Sequence, residues 1–148
     1  MNREIEFRAR DKNTGRWVYG SYFKHIKRQV APLGDGLKEE DIEHYIIKNG
    51  FADWNMPRHI DFVMVDGETV GEYTGLQDCN KAEIYEGDIV LCKENIIGME
   101  NKKFIGVIEF RKGSFCINRD GLYCYNLLDY RIEVIGNIHD DSELLEEE

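Results

Sequence analysis

The sequence predicts a mainly β chain, α+β only at the margin, built as an N-terminal sheet lobe with one short helix and a C-terminal small SH3-like or related β-barrel. Three observations predict it. Glu4-Ile5-Glu6-Phe7-Arg8-Ala9-Arg10 alternates strictly, which places Ile5, Phe7 and Ala9 on one face of a half-buried strand. The second half is a succession of short β-prone runs separated by turn signals. Eight tyrosines and seven phenylalanines stand against two prolines, which favours sheet and disfavours extended linkers.

Taken in order, Asp11 to Gly15 is rich in turn formers and Arg16-Trp17-Val18-Tyr19 is a second strand, so the pair reads as a hairpin. Ser21 to Ile26 continues the sheet until Pro32, Gly34 and Gly36 break the pattern. From Leu37 to Lys48 the period changes. Ile42, Tyr45 and Ile46 fall at i, i+3 and i+4, acids open the segment, Lys48 nears its end and Asn49-Gly50 stops it, which predicts a helix over 37–48. Residues 51–58 are irregular, with Trp54 expected against the sheet. Ile60 to Val65 alternates, and Asp66-Gly67 predicts a hairpin that returns through Thr69 to Tyr73.

The stretch from Tyr73 to Val90, YTGLQDCNKAEIYEGDIV, joins the two halves. Gly75 and Gly87 suit tight turns, and Asp78 and Asn80 can close local turns through their own side chains. Ile84 and Tyr85 are the expected core anchors, and Asp88 the carboxylate that pins the turn opening the next strand. Beyond a polar loop from Glu94 to Lys103, strands are expected over Phe104 to Phe110, Ser114 to Asn118, Leu122 to Tyr125 and Arg131 to Ile138. Residues 1–148 are expected to form one compact unit: a β lobe over 1–73, a barrel over 74–139 and an acidic tail over 140–148.

A chain of 148 residues buries a core without needing disulfides or metal. The net charge of −10 argues against a dedicated nucleic-acid binder, whose affinity rests on neutralising phosphates. Charge is unevenly placed, with a basic excess over residues 1–28, which include Lys24, Lys27 and Arg28, and an acidic end. The four cysteines, Cys79, Cys92, Cys116 and Cys124, form no C-x-x-C pair, and Met1 is followed at once by a charged strand rather than a signal peptide. These features imply reduced thiols, with Cys116 and Cys124 as small hydrophobes, in a reducing cytoplasmic setting. No apolar run is long enough to span a bilayer.

The sequence carries no Walker loop, G-x-G-x-x-G or G-x-S-x-G, and its histidines, His25, His44, His59 and His139, lack metal-ligand spacing. His139-Asp140-Asp141 reads as a solvated terminus, and Glu83, Glu86 and Asp88 as a surface rim without a partner base. No cofactor, metal site or catalytic residue is indicated. The one binding pattern is an interleaving of aromatic and basic residues, with Arg8, Arg10, Arg16, Lys24, Lys27 and Arg28 as the cations and Phe7, Trp17, Tyr19, Tyr22 and Phe23 as the rings. Alternation is expected to bury the rings and leave the cations outside without them.

Three segments resemble the YopX family of phage and prophage proteins: REIEFRARD from Arg3 with Trp17-Val18-Tyr19-Gly20, the Tyr73 to Val90 stretch, and IEVIGNIHDDSELL from Ile132. Where the family usually has an aromatic residue this chain has Arg10, and where it has a glycine this chain has Lys81. Loss of that glycine implies either a different turn over 80–82 or a positive φ taken by Asn80. The resemblance implies a small, mainly β protein of phage or prophage origin and no particular activity. The function expected is therefore that of a non-enzymatic interaction module with a host or phage protein partner, whose sheet edges also permit a homo-oligomer. A nucleic-acid module acting through the basic N-terminal half is the alternative.

Overall fold

A computed structural model of the chain describes residues 1–29, 34, 36–95 and 102–146. The break expected at Pro32, most of the polar loop before Lys103 and the last two glutamates lie outside the described residues. The chain is mainly β, and its contacts divide it into two units, Ile5–Gly71 and Met1–Glu4 with Glu72–Glu148.

The first unit holds four antiparallel strands in the order β4-β3-β2-β1, β1 (Phe7–Arg10), β2 (Trp17–Ile26), β3 (Ile42–Asn49) and β4 (Ile60–Val65), which are part of a six-stranded sheet. Asp11 accepts the N–H groups of Asn13 and Thr14 and so closes the turn between β1 and β2. Asp11 also makes an isolated antiparallel bridge with Val65, where Lys12 N–H donates to Met64 C=O and Asp66 N–H to Arg10 C=O, each at 3.0 Å. The four strands thus curl until the ends of β1 and β4 meet. The enclosed face holds Ala9, Ile46 and Val65, fully buried, with Phe7, Val18, Tyr22, Val63 and Val70 packed around them.

The helix expected over 37–48 is not formed. Glu39–Asp41 makes a single 3-10 turn, and Ile42–Asn49 is the strand β3, paired on one side with β2 and on the other with β4. Ile42, Ile46 and Ile47 are β-branched, and the ladders offered by two neighbouring strands outweigh a weak 3.6-residue pattern. The hairpin expected at Asp66-Gly67 is not formed either. The Asp66 carboxylate accepts from Glu68 N–H at 3.1 Å and caps one turn of 3-10 helix, Gly67–Thr69, and β4 turns back on β3 instead.

The second unit is built on a five-stranded antiparallel sheet, β10-β9-β8-β7-β11, from β7 (Asp88–Glu94), β8 (Lys103–Arg111), β9 (Ser114–Asn118), β10 (Cys124–Tyr125) and β11 (Tyr130–Asn137). Register explains its core. Ile132, Cys92 and Phe104 form one row, Val134, Val90 and Gly106 the next, and Ile108, Ile117 and Tyr125 a third. Ile84 and Leu127 pack on the same buried cluster. This sheet is open, which corrects the SH3-like or related barrel expected here. β10 is two residues long and pairs with β9 alone among the described residues, too short an edge to carry the ladder round to β11.

Into this unit runs the stretch that the sequence singled out, as β5 (Gly71–Gln77), a tight loop and β6 (Glu83–Tyr85). Gly75 and Gly87 have φ of +87° and +91°, conformations that only glycine takes without strain. Ile84 and Tyr85 are 1% and 3% exposed. Asp88 is buried and accepts Tyr85 N–H at 2.8 Å across the turn. Asp78 organises the loop: one carboxylate oxygen takes the N–H groups of Asn80 and Ala82, each at 2.8 Å, and the other takes Val134 N–H at 3.0 Å. Lys81 itself adopts the positive φ, +67°, at the place where the family has glycine. Asn80 therefore does not take it.

Three measurements follow. Ile84→Ala or Tyr85→Ala is expected to cost about 2–5 kcal/mol in denaturant unfolding, and a near-neutral result for both would remove their role as anchors. Lys81→Gly is expected to stabilise the chain, by up to about 1 kcal/mol, because it relieves left-handed strain; a loss of stability would refute the turn geometry. Burial raises the Asp78 pKa, but its three backbone donors outweigh this and hold it below its ordinary 3.8. Its contribution to stability is therefore present above that value and is lost as pH falls through the lower folded value. The stability gap between the natural chain and Asp78→Ala should narrow on acidification below pH 3.8, and a gap that widens there would contradict the assignment.

Candidate interaction surface

The face of the N-terminal sheet opposite its core is also apolar. Register assigns it row by row: Arg8 beside Tyr19, Arg10 beside Trp17, Ser21 with Ile47 and Phe62, and Phe23 with Tyr45 and Met64. An antiparallel sheet that covers one face normally turns polar side chains outward on the other. Here Tyr19 and Phe23 are close to half exposed, while Ile60 and Phe62 are 64% and 65% exposed. The loop that enters β4 adds to them. Gly50 N–H donates to His59 C=O at 2.7 Å and closes the segment between, which holds Phe51 at 87%, Trp54 at 96% and Met56 at 64% exposure. Trp54 does not pack on the sheet, contrary to expectation. Asn55, at φ +62°, and the bond from Met56 N–H to Asp53 C=O set the turn that holds it out.

The six cations expected to mark a nucleic-acid surface do not gather into one. Arg8 and Arg10 lie over the Trp17 ring, 4.9 and 5.2 Å from its centroid, so on this face cations and rings do stand together, the reverse of the arrangement expected. Lys24 shares the opposite face with Tyr22 and His44. Arg16 is exposed in the β1–β2 turn. Lys27 pairs with Glu43 at 3.6 Å and Arg28 with Asp41 at 2.7 Å. The Arg28 guanidinium holds the Asp41 carboxyl below the usual carboxylate range. Glu43 is likewise held down, first by the Tyr45 hydroxyl that donates to it. These anions on the sheet cancel cations that phosphates would otherwise meet.

In the C-terminal unit the groups with chemical potential are engaged in structure. Burial pushes the Cys92 thiol up to about 12, which makes it inert as a nucleophile at neutral pH. Burial, then the neighbouring Glu72 and Glu109, raise the Glu86 carboxyl. Glu83 accepts the Tyr85 hydroxyl at 3.1 Å, and Asp88 is buried in its turn, so the three acids do not make one solvated rim. Asp140 and Asp141 accept from the Asn137 side chain and backbone. Cys116 and Cys124 are not separate thiols but are joined as a disulfide, with Cα atoms 5.4 Å apart, a pairing that C-x-x-C spacing does not reveal. Beside them an open cavity of about 470 Å³ is lined by Arg111, Lys112, Phe115, Leu122 and Tyr123.

The candidate surface that the sequence reading missed is the β3–β4 hairpin, with Phe51, Trp54, Met56, Ile60 and Phe62 exposed. One signal for it exists in the chain. Three large apolar residues between Gly50 and Pro57 follow no period that a strand or helix could bury. Apart from Asp61, both parities of Ile60 to Val65 are apolar, and that aspartate favours turning Ile60, Phe62 and Met64 inward, the opposite of what the ladders impose.

Comparison with known proteins bears on the fold and the family. The chain resembles, at 24% identity and a TM-score of 0.51, the crystal structure of protein EF1440 from Enterococcus faecalis, over 97% of this chain and 99% of that one. No curated protein matches it. The family described as YopX protein matches residues 6–146, nearly the whole length and, apart from Arg3 to Ile5, the three segments that carry the resemblance, and the chain belongs to the YopX family.

Proposed function

We propose that this chain is an accessory protein of phage or prophage origin that acts as a non-enzymatic protein-interaction module in the bacterial cytoplasm, and that it docks through the β3–β4 hairpin of its N-terminal unit. The observation that carries this reading is the exposure of Phe51, Trp54, Met56, Ile60 and Phe62 on one hairpin. Single exposed apolar residues need no explanation, but five large ones between Phe51 and Phe62 of one hairpin are a concentration that commonly marks an interface. Tryptophan, phenylalanine and methionine are also the types enriched where proteins meet, and the first of these dominates binding energy. The origin follows the family resemblance alone. So does the compartment, since the Cys116–Cys124 disulfide removes reduced thiols as an argument for it.

The nucleic-acid alternative draws on Arg8, Arg10, Trp17 and Tyr19 sharing a face. It has less behind it, because Lys27 and Arg28 are spent on Glu43 and Asp41 and Lys24 points elsewhere.

One capture experiment separates the readings. Immobilised chain is offered first host lysate and then a differently tagged preparation of itself. A protein retained in either case should bind at least tenfold more weakly to Trp54→Ser/Phe62→Ser, a loss of about 1.4 kcal/mol or more, with the melting temperature unchanged. Equal retention by the variant would overturn the reading. Retention that nuclease and added salt abolish would replace it with the alternative.

A further inference from the structure

The proposed docking hairpin ends in a sheet edge, and the edge identifies what covers it. In an antiparallel strand, successive residues send their N–H and C=O groups to opposite sides. His59 bonds toward β3, through Gly50, whereas Met64 C=O takes Lys12 N–H on the far side. Ile60 and Phe62 share the parity of Met64 and so present their backbone groups outward. Among the described residues nothing bonds to them. An edge of this kind, with exposed apolar side chains beside it, is a template for another strand.

We propose that the strand is β4 of a second copy of this chain, paired antiparallel about a two-fold axis at Ile60. The inference rests on the docking reading above and names its occupant. Self-complementarity selects both the copy and the register. About Ile60, the two isoleucines face each other, Asp61 falls opposite His59 of the second copy, and Phe62 opposite its Arg58. A carboxylate thus meets an imidazole and a ring meets a guanidinium. Reciprocal backbone bonds join Ile60 to Ile60 and Phe62 to Arg58. Pro57, which has no N–H to give, falls opposite Val63, whose own groups are turned to β3, so no bond is lost there. The next two registers along the strand are less favourable. An axis at Asp61 sets two carboxylates face to face, and an axis at Phe62 drives the second copy into Lys12, which already occupies the edge beside Met64. In the register about Ile60, Met56 of the second copy falls opposite Met64, so its chain leaves the edge there, ahead of Lys12, at the turn set by Asn55, and each exposed loop lies beside the other copy's β4.

Sedimentation velocity on the full chain, with Ile60→Asp and Ile60→Lys, tests this. Ile60 is exposed, so both variants should keep the natural melting temperature. The natural chain should pass from monomer to dimer through the micromolar range. Each variant alone should stay monomeric, since like charges face each other at the axis, and their equimolar mixture should sediment as dimer. A natural chain that is monomeric throughout, a variant that dimerises alone, or a mixture that stays monomeric would overturn the pairing. If the chain is monomeric while Trp54→Ser/Phe62→Ser loses a captured host protein, the docking surface stands and this occupant falls. If the Ile60 pair behaves as expected while that double variant retains every partner, the pairing stands and the wider docking surface falls.

Discussion

The N-terminal unit depends on the double pairing of β3, whose Ile42–Ile47 is laddered to β2 and whose His44–Asn49 is laddered to β4. Buried backbone groups demand partners, and a strand between two others satisfies them on both sides. Once those registers are fixed, so is the fate of each side chain, because a shift of one residue would exchange the faces. Ile46 goes inward, Tyr45 and Ile47 go outward, and in the next strand Val63 and Val65 go inward while Ile60 and Phe62 go outward. The apolar outer surface is thus a direct consequence of the pairing that builds the core.

This is also where the sequence was legible and where it was not. The alternation over Glu4 to Arg10 becomes a strand only from Phe7 and leaves Ile5 exposed, whereas the turn at Asp11 and the β-prone second half were local signals with one physical reading. The segment Glu39 to Asn49 offered two. Acids near its start and the spacing of Ile42, Tyr45 and Ile46 fit a helix, whereas the β-branched content fits a strand, and only the neighbouring ladders decide between them. Asp66-Gly67 misled for a similar reason: an aspartate before glycine caps a helical turn as readily as it opens a hairpin. The C-terminal barrel failed on length, since of the strand expected over Leu122 to Tyr125 only Cys124–Tyr125 pairs with β9.

Of the candidate positions, those defined by backbone demands were readable. Gly75 and Gly87 occupy positive φ, and Ile84, Tyr85 and Asp88 are buried where the chain turns into β7. The cations were not readable, because whether Lys27 and Arg28 meet Glu43 and Asp41 depends on how the β2–β3 connection returns. Trp54 was hidden by a sound rule applied outside its range. Large rings are usually covered, but a ring held by a turn at Asn55 in an eight-residue loop has nothing of its own unit within reach to cover it.

The departure at Lys81 sharpens the physical account of the central loop. Left-handed backbone strain at a non-glycine residue persists only where the surroundings over-determine the conformation. Asp78 supplies that determination: its carboxylate ties Asn80, Ala82 and Val134 together, and the bonds from Asp78 N–H to Ala82 C=O and from Cys79 N–H to Ile132 C=O close the loop from the backbone side. The residue at 81 is thus free to vary in kind while its conformation is not. The same reasoning applies in reverse to the hairpin of the first unit. There the backbone of Ile60 and Phe62 is left unanswered among the described residues, and an unanswered edge beside exposed apolar side chains is a feature that isolated soluble domains usually blunt with charge, proline or a bulge. Pro57 and Asp61 flank this edge without closing it, which is the arrangement expected of a surface that admits one register and rejects its neighbours.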